Sequence, residues 1–179
     1  MIKAPHSEIT NDEKVGRAIH KNSYDSEKKE FSYHIWDKKG NTSVSRLQVL
    51  SLQEIREIWI QMLHEPPVKD LAFILLFSKD DLQAAIHGNA EYRSVQFDLV
   101  PDPCCVQDHY KKFSKEECTN TCPYNTQQLH CPVASGISSH PCVRNYAHAL
   151  VVTKISRGLA NTLNRYLASK ENIHSLSEG

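Results

Sequence analysis

The sequence predicts an α/β or α+β domain, in which helices cover a mixed sheet of about four or five strands and a Cys/His-rich segment is inserted. Three observations support this fold class. Segments with strand patterns are interspersed with segments of helical periodicity along the chain. The continuous apolar run LAFILLF is typical of a strand buried on both faces. All six cysteines fall between Cys104 and Cys142, in a polar, proline-rich stretch.

The first predicted elements are a polar arm and a β-hairpin. Residues 1–30 are mixed in charge and poor in apolar patterning, so we expect a mobile N-terminal arm. Residues 31–37 alternate in polarity, with His34 and Trp36 on one face of a strand. Residues 43–50 then form the returning strand after the turn DKKGN.

Two capping sequences predict the next two helices. Ser51 and Glu54 form a capping box that opens the helix LQEIREIWIQML, which a proline pair ends. After the strand LAFILLF, Ser78 and Asp81 open a shorter helix, and Gly88 stands in the place of a C-cap. The alternating segment VQFDLV is then a further strand.

The last predicted elements follow the cysteine segment. AHALVV is a strand, and TKISRGLANTLNRYLAS is a helix with an apolar stripe. The domain organisation is therefore a core formed by 31–103 and 147–170, an inserted segment at 104–146 and a C-terminal tail at 171–179.

Charge and hydropathy restrict the partners and the compartment. The chain has 21 basic and 21 acidic residues, so binding to nucleic acid or to an anionic membrane requires a local patch. The N-terminus has no apolar core of signal-peptide length, and no apolar run is long enough to cross a bilayer. We therefore expect a soluble cytoplasmic protein with reduced thiols and no membrane association.

The cysteine segment predicts a structural metal site, with Zn²⁺ as the expected ion. Clustered thiols in a reducing compartment favour metal ligation, and zinc contributes about 10 kcal/mol or more to the folding of small zinc modules. The separation of Cys118 and Cys122 suits one ligand pair. Disulfides, iron–sulfur ligation and inert buried thiols remain open. The candidate ligands are Cys104, Cys105, Cys118, Cys122, Cys131, Cys142, His130 and His140.

Four polar residues form a candidate catalytic centre, because ligands bind at the ends of adjacent strands in α/β folds. His148 would act as general acid–base beside Asp102, and Arg46 would hold a phosphate or carboxylate. His34 would lie nearby. Each residue also has a structural interpretation, as a strand residue, an ion-pair partner or a turn residue.

The last predicted helix carries four basic residues and no acidic residue between them. Such a stripe can contact phosphates or an acidic partner, although a solvated face or the helix dipole also accounts for it. The residues are Lys154, Arg157, Arg165 and Lys170.

Three short strings, SVSRL (43–47), LVPDP (99–103) and HALVV (148–152), carry a family resemblance. Together they resemble small uncharacterised bacterial proteins with the pattern SVxRL, VxPDP and HA followed by apolar residues. The resemblance implies that Arg46, Asp102 and His148 belong together in a domain into which the cysteine segment is inserted. It also implies a prokaryotic origin, and it implies no activity.

The sequence leaves three functions open. The favoured one is an intracellular accessory protein, stapled by a metal, that binds a protein or nucleic-acid partner through its cysteine segment. The second is a small hydrolase or nuclease with His148 as acid–base and Arg46 as phosphate holder. The third is a thiol redox sensor that uses Cys104 and Cys105.

Overall fold

A six-stranded antiparallel sheet forms the centre of the fold. The computed structural model describes residues 7–63, 70–101, 112–113, 142–143, 147–170 and 172–176. Within them it confirms the predicted fold class as α+β, but the main sheet has six strands and every strand pairing in it is antiparallel.

The main sheet has the strand order β10-β5-β1-β4-β9-β6. Its strands are β1 (Val15–His20), β4 (Thr42–Arg46), β5 (Leu71–Phe77), β6 (Leu99–Pro101), β9 (His148–Val151) and β10 (Ile173–Ser175). Two small two-stranded sheets pair β2 (Tyr24–Asp25) with β3 (Glu30–Phe31), and β7 (Lys112–Phe113) with β8 (Cys142–Val143).

Helices cover both faces of this sheet. The helices are α1 (Leu52–Leu63), α2 (Lys79–Ile86) and α3 (Arg157–Ser169). Successive residues of β5 point to opposite faces of the sheet. Leu75 packs in the core beneath α2 and α3, and Ile74 packs against α1. None of the helices in the described ranges combines the length and apolar character needed to cross a membrane.

Both predicted helix starts are confirmed, and each has the hydrogen bonds of a capping box. The backbone N–H of Ser51 donates to Glu54 Oε2 at 2.7 Å, and the N–H of Glu54 donates to Ser51 Oγ at 3.3 Å. The backbone N–H of Ser78 donates to Asp81 Oδ2 at 2.8 Å, and the N–H of Asp81 donates back to Ser78 Oγ at 3.2 Å. These bonds satisfy donors that each helix start would otherwise leave unpaired.

The chain ends contribute to the sheet, which corrects the expectation of a polar arm and a tail. Val15–His20 is strand β1 in the middle of the sheet, between β4 and β5. Ile173–Ser175 is strand β10, which pairs with β5 at the edge. Within VQFDLV, only Leu99 and Val100 are in a strand, β6.

The predicted hairpin over residues 31–37 and 43–50 is wrong. After β3 the chain makes a 3₁₀ turn at Tyr33–Ile35, in which the backbone N–H of His34 donates to Ser32 Oγ. Ile35 and Trp36 are therefore both buried, whereas a strand would place them on opposite faces. Strand β4 pairs with β1 and β9 instead.

Candidate functional site

The described members of the predicted catalytic centre are not brought together. The pairing of β4 with β9 places His148 opposite Ser45, so these two residues share the face of the sheet that carries α1. Arg46 is the next residue of β4 and therefore points to the opposite face. Asp102 lies outside the described residues.

Arg46 is a buried ion-pair residue. Its Nε donates to Glu13 Oε1 at 2.6 Å and its Nη2 to Glu13 Oε2 at 3.0 Å, and both side chains are fully buried. Its Nη1 also donates to the backbone carbonyl of Ser7 at 2.8 Å. The guanidinium thus anchors the segment that leads into β1, which corrects its expected role as a phosphate holder.

His34 is exposed in the 3₁₀ turn, and the centroids of its ring and the Tyr33 ring are 3.9 Å apart. The turn is on the α2–α3 side of the sheet, because Ile35 and Trp36 pack in the core beneath those helices. His34 and His148 are therefore on opposite sides of the sheet.

The predicted metal ligands fall almost entirely outside the described residues. Those outside are Cys104, Cys105, Cys118, Cys122, Cys131, His130 and His140. The backbone of Cys142 begins β8, which pairs with Phe113 of β7 and lies against α1. Within the described ranges, no group of three or more His, Cys, Asp or Glu residues is placed to hold a metal ion. The zinc site remains a prediction.

The structure reveals a basic groove between the β2–β3 hairpin and α3. It is open to solvent and has a volume of about 600 Å³. Its charged lining consists of three cations, Lys28, Lys29 and Arg165, and one carboxylate, Glu30. We refer to this recess as the hairpin–α3 groove.

Helical spacing places the α3 residues of the groove on one face. Asn161, Asn164, Arg165 and Ala168 follow the i, i+3, i+4 and i+7 positions of that face. Arg157 lies four residues before Asn161, so it extends the same stripe towards the start of the helix.

A buried amide fixes α3 against the chain on the other side of the groove. The indole N–H of Trp36 donates to Asn164 Oδ1 at 2.6 Å. Asn164 Nδ2 donates to the backbone carbonyls of Phe31 at 3.2 Å and Ser32 at 3.3 Å. Because the amide is 4 % exposed and bonded at both ends, the floor of the groove is held in one geometry.

Contacts to the Tyr33 ring and a half-buried arginine, Arg17, hold the adjoining 3₁₀ turn. The Arg157 guanidinium lies 4.7 Å from the Tyr33 ring centroid, and Lys38 Nζ lies 5.3 Å from it. Arg17 fixes the turn from the sheet by donating to the carbonyls of Ile35 and Ser43. Burial lowers the pKa of Arg17 to about 10, against the opposing effect of Asp37.

The four cations of the predicted basic stripe do not all lie on one surface. Arg165 lines the groove and Arg157 lies on the same helix face, but Lys170 lies over the ring of Tyr166, at 5.1 Å, and does not line the groove. Lys154 precedes the helix and is exposed.

Two of the groove's three cations have no ion-pair partner among the described residues. Lys28 Nζ is 3.4 Å from Asp25 Oδ2, an exposed pair. Hydrogen bonding from the Lys28 backbone N–H contributes most to lowering the pKa of the Asp25 carboxyl. Lys29 and Arg165 form no such pair in the part of the chain that the structure describes. A neutral chain thus presents a local positive recess.

Sequence reasoning assigned Lys28 and Lys29 to an arm and did not single them out. The signal that could have found them is EKKE, in which two lysines occupy a short turn between Tyr24 and Phe31. These aromatic residues pair across β2 and β3, with ring centroids 4.7 Å apart.

The fold and the groove define the class of protein as an α+β domain with a basic recess at a helix–hairpin junction. Comparison with protein-family models, curated proteins and solved structures finds no match to this chain. The resemblance to small bacterial proteins stays a prediction.

Proposed function

We propose that the protein is an accessory protein that binds nucleic acid through the phosphate backbone at the hairpin–α3 groove. The observation that carries this proposal is the convergence of Lys28, Lys29 and Arg165, from distant parts of the chain, on one recess that contains one carboxylate. Phosphate groups are the anions that such clusters of lysine and arginine neutralise in nucleic-acid-binding proteins.

The surroundings of the cations favour a ligand over simple solvation. A concave surface bounded by protein focuses the field of its charges more than a convex helix face does. Asn161 is exposed in the same groove and offers both a donor and an acceptor to a sugar or a base edge. An acidic peptide would also meet the cations, and we treat it as the competing outcome of the test below.

The metal-stapled cysteine segment remains part of the proposal and rests on the sequence. Supporting it, Lys112–Phe113 and Cys142–Val143 pair as antiparallel strands, so the two ends of the segment between them are adjacent. Elemental analysis of the purified protein is expected to find one equivalent or more of zinc per chain. A metal-free protein that unfolds with unchanged cooperativity would contradict this part.

The two alternatives have less support. The hydrolase proposal loses its phosphate holder, because Arg46 pairs with Glu13 on the face opposite His148. The redox-sensor proposal depends on Cys104 and Cys105, which lie outside the described residues.

The proposal is tested by fluorescence anisotropy with a labelled oligonucleotide at several salt concentrations. The double variant Lys28→Glu/Arg165→Glu reverses two charges of the groove and is expected to lower affinity by about tenfold or more at low salt. Lys170→Glu is the control, because it reverses a charge at the residue that directly follows α3 and does not line the groove.

Equal loss in the control and the double variant would show that the groove is not the site. Absence of binding by the unmodified protein, or tighter binding of a polyglutamate peptide than of the oligonucleotide, would reject nucleic acid as the partner. Circular dichroism of each variant verifies that the fold is intact.

A further inference from the structure

Lys29 adopts a backbone conformation that lysine rarely adopts. Its φ is 51°, in the left-handed region, where the Cβ atom of an L-residue is crowded by its own backbone. Glycine and asparagine are the residues that usually occupy such positions in turns. The hairpin therefore loses stability by having lysine here.

The geometry of the turn explains why this position is left-handed. The pairs Tyr24–Phe31 and Asp25–Glu30 close the hairpin around the loop 26–29, and Lys29 is its last residue. Asp25 Oδ1 accepts hydrogen bonds from the backbone N–H groups of residues 27 and 28, at 3.1 and 3.0 Å. Hairpin loops built around a type I turn commonly need a left-handed residue after the turn, so that the second strand can pair with the first.

Folding does not account for the lysine side chain. Lys29 is exposed and lines the groove together with Arg165. Among the described residues its ammonium group makes no hydrogen bond and no ion pair. Strained residues that persist without a structural benefit are concentrated at ligand-binding positions.

The position of the hairpin beside α3 favours an unpaired strand over a duplex as the ligand. A helix with its side chains is about 10–12 Å across and just fits the major groove of DNA, which is about 12 Å wide. The β2–β3 hairpin lies beside α3 at the groove, so this face of α3 cannot enter a duplex groove alone. A single strand can follow the recess, with its phosphates towards the cations.

We infer that the hairpin–α3 groove holds the phosphate backbone of a single-stranded nucleic acid, and that Lys29 contacts a phosphate there at a cost to the stability of the hairpin. This inference rests on the proposed function and names its ligand class and one of its binding residues. The lysine at position 29 is therefore expected to raise the affinity for the nucleic acid and to lower the stability of the hairpin.

Three substitutions of Lys29 separate charge from backbone conformation. Lys29→Gly removes both the charge and the conformational cost, Lys29→Ala removes the charge alone, and Lys29→Arg keeps both. The probe is a labelled oligothymidine of about 16 nucleotides, with its duplex with oligoadenosine as the comparison. Melting temperature is measured on the same samples.

For the glycine and alanine variants, affinity is expected to fall by about three- to tenfold. The slope of log K against log salt is negative, and its magnitude is expected to decrease by about 0.7 in both. The arginine variant is expected to bind like the unmodified protein. Melting temperature is expected to rise by about 2–4 °C in the glycine variant alone.

The outcomes distinguish this inference from the proposed function. If the double variant Lys28→Glu/Arg165→Glu loses affinity while Lys29→Gly and Lys29→Ala retain it, the groove stands and the role of Lys29 is rejected. Duplex binding as tight as single-strand binding rejects the ligand class. Loss of affinity in Lys29→Gly without a gain in melting temperature rejects the stability cost.

Discussion

Arg46 and Glu13 form a two-pronged, fully buried ion pair that joins the end of β4 to the segment preceding β1. Neither side chain reaches solvent, so each depends on the other to compensate for the loss of hydration. The backbone of Arg46 also donates to the carbonyl of Ala147 at 2.8 Å. The residue thus connects three parts of the chain.

Removing one partner of this pair should be strongly destabilising. Glu13→Gln retains the shape of the side chain but removes the carboxylate charge that pairs with the buried Arg46 cation, which typically costs about 3–5 kcal/mol of unfolding free energy. Urea denaturation followed by circular dichroism measures the change. Glu27→Gln, the same substitution at an exposed hairpin position, is expected to stay within about 0.5 kcal/mol of the unmodified protein. A similarly small effect at Glu13 would contradict the structural role.

Asn164 should be required for stability, whereas Asn161 on the same helix face should not. Asn164→Ala removes the acceptor of the Trp36 indole N–H and the amide that donates to the carbonyls of Phe31 and Ser32, and we expect a loss of about 3 kcal/mol. Asn161→Ala is expected to be neutral or slightly stabilising, because that side chain is exposed and alanine is the better helix former. Chemical denaturation of both variants measures the difference, and equal stabilities would contradict the assignment.

Helix starts and one strand could be predicted because their signals are local. Ser51 with Glu54 and Ser78 with Asp81 specify helix starts within four residues, and the run 71–77 is apolar enough to need burial on both faces. The physical cause of each element lies within the segment that forms it.

Strand β1 was missed because a charge interrupts its pattern. Val15, Arg17 and Ile19 are each two residues apart in the strand. Arg17 therefore points to the same side of the sheet as the two core residues. Its guanidinium is satisfied by the carbonyls of Ile35 and Ser43, which only the folded chain brings near. Tertiary hydrogen bonding thus overrides the local pattern.

The groove was missed for a related reason. The sequence showed Arg157 and Arg165 as members of a basic stripe, but not that the turn containing Lys28 and Lys29 packs beside them. The buried amide of Asn164 helps to establish that proximity, and no spacing rule within either segment contains it.

The stability contributed by Asp81 should depend on pH. Burial opposes ionisation of this carboxyl, but hydrogen bonds from Lys14 and Ser78 outweigh it, so its pKa lies below the ordinary value. A carboxylate whose pKa is lower in the folded state stabilises fully above its unfolded pKa of about 3.9, and this contribution disappears as pH falls through the folded pKa.

Asp81→Asn is therefore expected to lower the unfolding free energy by about 1 kcal/mol at neutral pH. The deficit relative to the unmodified protein should shrink as the pH falls below about 4. Asp80→Asn is the matched control, since Asp80 is exposed in the same helical turn. Urea titrations at several pH values measure both variants. A deficit at Asp81 that does not change with pH would show that its charge is not the cause.

Gly40 should not tolerate a side chain, whereas Gly88 should. Gly40 has φ 86°, and a Cβ atom there would lie 2.3 Å from the carbonyl oxygen of Val152, so alanine must displace the backbone beside β9. We expect Gly40→Ala to cost about 2 kcal/mol or more in unfolding free energy, measured by urea denaturation. A Cβ atom on Gly88 meets nothing within 4 Å and its φ is not left-handed, so Gly88→Ala is expected to be neutral or to stabilise by about 0.4–1 kcal/mol. Equal effects at the two glycines would mean that the contact between the turn before β4 and the end of β9 does not constrain the fold.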